Sequence, residues 1–170
     1  MRIWDDNEFP LAYLITFRTY GTWLRGDERG SIDRYHNQFR GPRVPANSVI
    51  QKQHNAKLKS EPVLLDARQR PIVEAAIREV CDFRGWKLSA INVRTNHAHT
   101  VVEAATEPER VMKDFKAYST RALRTAALWN FNHSPWVDGG SKRYLWSEIS
   151  VANACEYVVN GQGADLPEAF

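Results

Sequence analysis

Residues 92–103 read NVRTNHAHTVVE, strand-like types in which His97 and His99 are separated only by Ala98. Side chains alternate along a strand, so His97, His99, Val101 and Glu103 share one face, and Ala98, Thr100 and Val102 the other. Same-face neighbours lie about 6–7 Å apart along the backbone. From that spacing two imidazoles can converge on one divalent ion, at about 2.0–2.1 Å from each nitrogen in the case of zinc. Two ligands leave coordination positions open, which suits an ion that must hold a phosphate better than a structural one. The same pair also fits the polar face of an ordinary surface strand.

A second candidate follows about twenty residues later. Thr106 and Glu109 match an N-terminal capping box, with Pro108 in the first turn, and open a helix expected to run to about Trp129. At 100° per residue, Val111, Phe115, Tyr118, Ala122, Ala126 and Trp129 form one stripe, expected to face a sheet. Tyr118 then carries its hydroxyl inward. It is either a core tyrosine with one hydrogen bond or a nucleophile aimed at a phosphate held by the histidines' metal. Lys113, Lys116 and Arg124 point away from the stripe, and Arg121 sits towards its edge.

The remaining elements must position these groups. Residues 11–24, LAYLITFRTYGTWL, read as a first strand ending near Gly21. From about 25 to 62 the chain is polar and broken by glycine and proline, a long irregular segment for a compact domain. Asp66 with Gln69 forms a capping-box pattern ahead of Ile72, Val73, Ala76, Ile77 and Val80, and Gly85 ends that helix. Strands follow over about 87–93 and 97–103, joined by a turn at Thr95-Asn96. Beyond about residue 130 the chain is irregular, with a short strand at Tyr144–Trp146 and a final helix over Val151–Val159. This order predicts an α+β fold, a ferredoxin-like or RRM-like antiparallel sheet with helices packed on one face, in a single domain over residues 1–170.

Composition is that of a soluble globular protein, 43% hydrophobic and 25% charged, which argues against wholesale disorder. No apolar run could span a bilayer and no signal peptide is present, so a cytoplasmic protein with no membrane partner is expected. Cys81 and Cys155 form no CxxC pair and read as small buried apolar side chains. The net charge of +3 is unevenly spread. Between Asp33 and Glu61 no acidic residue occurs, while Arg34, Arg40, Arg43, Lys52, Lys57 and Lys59 do. Such a block fits either a polyanion-binding surface or a solvated loop. Tyr20, Trp23 and Trp136 lie in turn-rich sequence, where base stacking and core packing are both open.

Taken together, His97-Ala98-His99 after an asparagine, followed by FKAYSTRALR, resemble the HUH-type single-strand DNA transposases. The nearest likeness is to the one-tyrosine insertion-sequence enzymes and relatives associated with repetitive extragenic palindromes. TFRTYGTWLRGDERGSIDR, RGWKLSAINVRTNHAHTVVE and SKRYLW are also similar to bacterial members, so the resemblance runs from about Tyr13 to Gly161. It implies a bacterial, nucleoid-associated enzyme in which His97 and His99 bind Mg2+ or Mn2+. Tyr118 would attack the scissile phosphate, leaving a 5′-phosphotyrosine and a free 3′-hydroxyl. It further implies a homodimer acting on single-stranded DNA with hairpins, in which one chain's tyrosine can serve the other chain's histidines, leaving Tyr118 far from His97 and His99 within one chain. Apart from the resemblance, Lys113, Lys116, Arg121 and Arg124 on the helix and Arg40 and Arg43 in the basic segment fit either DNA-backbone contacts or an exposed helix face and loop. One departure stands out. Members often carry glutamine or asparagine one turn after the tyrosine to complete the metal site, and here that position is Ala122; Asp114, Thr125 and Glu103 are other candidate ligands. A domesticated hairpin-binding protein and a metallohydrolase of small phosphoesters are the rival readings.

Overall fold

The structure is a computed structural model and describes residues 9–22, 49 and 61–161. Arg40, Arg43, Trp23 and nearly all of the basic segment expected over 25–62 lie outside the described residues. The described elements are β1 (Ala12–Arg18), α1 (Gln69–Arg84), β2 (Lys87–Val93), β3 (His97–Glu103), α2 (Pro108–Thr125), β4 (Ser141–Leu145) and α3 (Glu148–Asn160). The four strands form one antiparallel sheet in the order β2-β3-β1-β4. The expected α+β layout, two strand–helix–strand units interleaved in one sheet, is present.

Alternation assigns the two faces. Tyr13, Ile15 and Phe17 of β1 lie beside Val102, Thr100 and Ala98 of β3. With Val73, Ile77 and Val80 of α1 and Val111, Phe115 and Leu123 of α2, they build the main core. The opposite face has its own smaller core, in which Ala12, Leu14, Val101 and Leu145 meet Ala154 and Val158 of α3. The helices are therefore not all on one face. Two cover one side as expected, and α3, from the part read as mostly irregular, covers the other.

Local signals explain the helix ends. Asp66 and Gln69 form the reciprocal box, each backbone N–H donating to the other's side chain at 2.9 Å. Gly85, at φ 72°, closes α1 in the left-handed region, and the Trp86 N–H donates back to the Cys81 carbonyl at 2.8 Å. Ser147 caps α3 by accepting from the Ser150 N–H at 3.1 Å. The box expected at Thr106 and Glu109 does not form. The N-cap of α2 is Glu107, Pro108 takes the first turn, and Glu109 instead pairs with Lys142 at 3.0 Å. Helix α2 also stops at Thr125 rather than near Trp129. Its buried stripe is Val111, Met112, Phe115, Ser119 and Leu123, which leaves Tyr118 half-buried at the edge and Ala126 exposed.

The chain reverses after α2 through Ala127, a non-glycine residue at φ 57°. A Cβ in the left-handed region costs about 1–2 kcal/mol. Ala127→Gly is expected to stabilise the protein by about 1 kcal/mol, less the added freedom of the unfolded chain. Urea unfolding with an unchanged slope and a higher midpoint would show it.

Candidate active site

Beyond the apolar end of the α3-side face, the same rows of β1 and β3 turn polar. Leu14 pairs with Val101, Thr16 with His99, and Arg18 with His97. His97 and His99 thus share a face, and their rings meet at 4.4 Å between centroids and 72° between planes. Both are buried, 8% and 6% exposed, so their nitrogens need partners. His97 Nδ1 lies 2.6 Å from Asn96 Oδ1, and His99 Nδ1 lies 2.6 Å from Thr16 Oγ1.

Among the described residues, the phenol in ring contact with the pair is not Tyr118 but Tyr157 on α3, whose ring stands edge-on to His99 at 5.6 Å between centroids. The Asn92 side chain, on the β2 residue paired with His99, donates to the Val158 carbonyl at 3.0 Å. That bond ties the end of α3 to the sheet beside the histidines. Tyr118 sits on α2, against the opposite core, with the Arg121 guanidinium 4.5 Å over its ring. The structure brings His97 and His99 together and puts the sheet between them and Tyr118 of the same chain. The stripe reading could say that Tyr118 faces the sheet but not which side of it. Tyr157 did not stand out in the sequence, because a short helix with few polar contrasts gave no reason to prefer it; its place on the helix that Ser147 caps directly after β4 was the available signal.

Two imidazoles are a borderline donor set, better matched to Mn2+ than to Mg2+, which favours oxygen ligands. The pair fits a divalent ion, though as an incomplete shell. Among the described residues no cluster of three His, Cys, Asp or Glu side chains could hold a metal. Asp114 pairs with Arg84 at 3.1 Å and, with Thr125 and Ala122, belongs to α2 on the far side of the sheet. Glu103 is exposed at the end of β3. One turn past Tyr157 come Asn160, whose amide donates to Glu156 Oε1 at 2.9 Å, and Gly161.

The family model for transposases described as IS200-like matches residues 56–158, three-fifths of the chain, including both histidines and Tyr157. The chain belongs to the IS200-like transposase family. Among solved structures, a protein assigned as a transposase from Deinococcus radiodurans superposes with a TM-score of 0.50 at 15% identity, over 96% of this chain and all of the other. The REP-associated tyrosine transposase bound to a REP hairpin matches with a TM-score of 0.48 at 10% identity, over 93% of this chain and 70% of the other. No curated protein sequence matches the chain. Membership makes this a transposase-type, DNA-binding protein. None of its described helices is long and apolar enough to cross a membrane.

This IS200-like transposase also carries a basic cleft of about 690 Å³ between α2 and the loop before β4. Lys113, Lys116, Arg121, Arg124 and Lys142 line it, with Glu109 the sole acidic lining residue among the described residues. Lys116 and Arg124 are partly committed. Lys116 Nζ donates to the Val137 and Gly139 carbonyls at 2.9 and 2.6 Å, and Arg124 donates to the Phe131 carbonyl at 3.1 Å. Trp136, open to either reading above, proves to be core: it is 4% exposed and edge-on to Phe17 at 4.9 Å. Burial, with nearby Lys142 adding to it and Asp138 opposing it, lowers the Lys116 ammonium below its usual pKa. Hydrogen bonds to charged groups contribute about 1.5–3 kcal/mol net when buried, and less at a partly exposed site such as this one. Lys116→Met, which keeps the stem, is expected to cost about 1–2 kcal/mol in denaturant unfolding and to speed amide exchange in residues 137–140.

Proposed function

We propose that the protein is a metal-dependent endonuclease and strand-transferase for single-stranded, hairpin-forming DNA, with Tyr157 as the nucleophile. The observation that carries this reading is the phenol of Tyr157 beside His99 on the histidine face, while Tyr118 lies across the sheet. His97 and His99 would hold the Mg2+ or Mn2+ ion, which supplies a positive charge to polarise the scissile phosphate. Tyr157 Oη attacks phosphorus as the phenolate, its proton passing to solvent. The new P–O bond forms as the P–O3′ bond breaks, and the departing oxygen takes a proton to become a free 3′-hydroxyl. The 5′-phosphate remains on Tyr157 as a phosphodiester, so attack by another 3′-hydroxyl rejoins a strand without ATP.

The basic cleft on the opposite side of the sheet suits a stretch of DNA backbone away from the cleaved bond, such as a hairpin stem. Lys113 and Arg121 are its least committed cations, and Lys116 and Arg124 shape its walls. A homodimer would place two such clefts and two histidine pairs on one hairpin-bearing strand. A hairpin-binding protein that does not cut is the second reading, favoured by the two-residue ligand set.

Incubation with a single-stranded hairpin oligonucleotide and Mn2+ is expected to give a covalent adduct on Tyr157. Tyr157→Phe should abolish it and Tyr118→Phe should not. An adduct that survives Tyr157→Phe and is lost in Tyr118→Phe would return the nucleophile to α2, acting on the partner chain. Tight binding with no adduct under any divalent ion would favour the second reading.

DNA affinity is expected to fall steeply with salt, by about 0.7 in the logarithmic slope for each single-strand phosphate neutralised. Lys113→Ala and Arg121→Ala should each reduce that slope by about one such increment, as measured by fluorescence anisotropy between 50 and 200 mM salt.

A further inference from the structure

We propose that Asn96 and Thr16 are the positioning residues of the histidine pair, with Asn96 fixing the tautomer of His97 and Thr16 following that of His99. The inference rests on reading His97 and His99 as metal ligands. A neutral imidazole binds a metal through the nitrogen that lacks the proton, so whatever engages the other nitrogen decides whether it can serve.

The two anchors differ in kind. A carboxamide oxygen only accepts. At 2.6 Å from His97 Nδ1, Asn96 Oδ1 therefore holds the proton on Nδ1 and leaves the lone pair on Nε2. A threonine hydroxyl donates or accepts, so the 2.6 Å contact from Thr16 Oγ1 holds the ring of His99 in place without choosing its tautomer.

Asn96 is built as a rigid director. It is 2% exposed, and its backbone carbonyl accepts from both the N–H and the hydroxyl of buried Thr19, at 2.9 and 3.1 Å. Its own Nδ2 is buried without a hydrogen-bond partner. An unpaired buried amide costs stability, so packing does not account for this side chain. Its oxygen, on His97, does. With the amide reversed, Nδ2 would donate to His97 Nδ1, the ring proton would move to Nε2, and that nitrogen would be lost as a ligand.

The test uses the full chain, free of metal, labelled with 15N in histidine at pH 8, where unperturbed imidazoles are neutral. Long-range 1H–15N correlation is expected to show His97 as the Nδ1–H tautomer in the parent and in Asn96→Asp. In Asn96→Ala it should shift towards Nε2–H. Mn2+ affinity, followed by electron paramagnetic resonance, should weaken about 10–100-fold in Asn96→Ala. It should stay within a few-fold of the parent in Asn96→Asp, and Thr16→Val should lose less than Asn96→Ala. An Nε2–H tautomer for His97 in the parent overturns the proposal, even if no variant folds. So does an Asn96→Ala protein with the parent's tautomer and affinity. Equal Mn2+ binding by the parent and His97→Ala would instead sink the metal reading, and the metal-free tautomers would still decide the role of Asn96.

Discussion

Strand β3 is buried on both sides, and its two-residue alternation has to serve two cores and a site at once. Ala98, Thr100 and Val102 face α1 and α2, while Val101 joins Leu14 under α3. A slip of one residue would drive the histidines into the main core and Ala98 and Val102 into the site. Pairing on both edges, with β1 and with β2, forbids that slip. The same register sets Thr16 beside His99, so the hydrogen bond that anchors the ring is a consequence of strand pairing. The sheet is also a wall. Layers packed on a sheet stand about 10 Å from it, so a group on α2 and a group on the histidine face are separated by two layers and the strands between.

The short route from β4 to α3 determines what reaches the histidines. Leu145 points into the smaller core, opposite Ala12, and only Trp146 and the capping Ser147 intervene before Glu148. With so few residues the chain cannot pass round the sheet edge to the crowded α1–α2 side. It must turn onto the open face. Ala154 and Val158 then seat the helix on Leu14 and Val101, and Tyr157, between them in sequence, projects to the polar end of that face. At the other end of β4, Gly140 passes so close to β1 that an added Cβ would lie 2.5 Å from the Thr16 carbonyl. The residue that anchors His99 thus also fixes the entry of the strand that delivers α3.

Much of this was legible before any coordinates. The β2 and β3 limits, the turn at Thr95-Asn96, the Asp66–Gln69 box and the Gly85 stop each rest on short-range chemistry, and each is found. The histidine pair was legible for the same reason, since alternation alone puts His97 and His99 together. What failed depended on distant partners. Glu109 matched a capping box but found Lys142, more than thirty residues away, at 3.0 Å. Periodicity marked an apolar side of α2 but was rotated enough to include Tyr118 and Ala126 instead of Met112, Ser119 and Leu123. The side of the sheet that a helix covers is a matter of connection length and crossover, and no helical stripe encodes it. Expected cysteine behaviour is met for Cys81, fully buried with its thiol pushed up to about 12 by burial. Cys155 is only half-buried, at the margin of the smaller core under α3.

The placement of α3 bears directly on how a dimer could use these residues. For Tyr118 to serve a partner's histidines, α2 of one chain would have to approach the face of the other that α3 already occupies. Its ring would also have to leave the main core and give up the Arg121 guanidinium stacked on it at 4.5 Å. That contact is attractive, worth about 0.5–1 kcal/mol at an exposed site. Tyr157 already lies on the histidine face, edge-on to His99. It sits on the helix that covers the site, near that helix's C-terminal end. A modest shift or exchange of that one element between chains would keep it on a histidine face, in the same chain or its partner. With Tyr157 as the proposed nucleophile, the covering helix and the reactive helix would be one element, and access of DNA to the histidines and delivery of the phenol would both depend on where α3 sits.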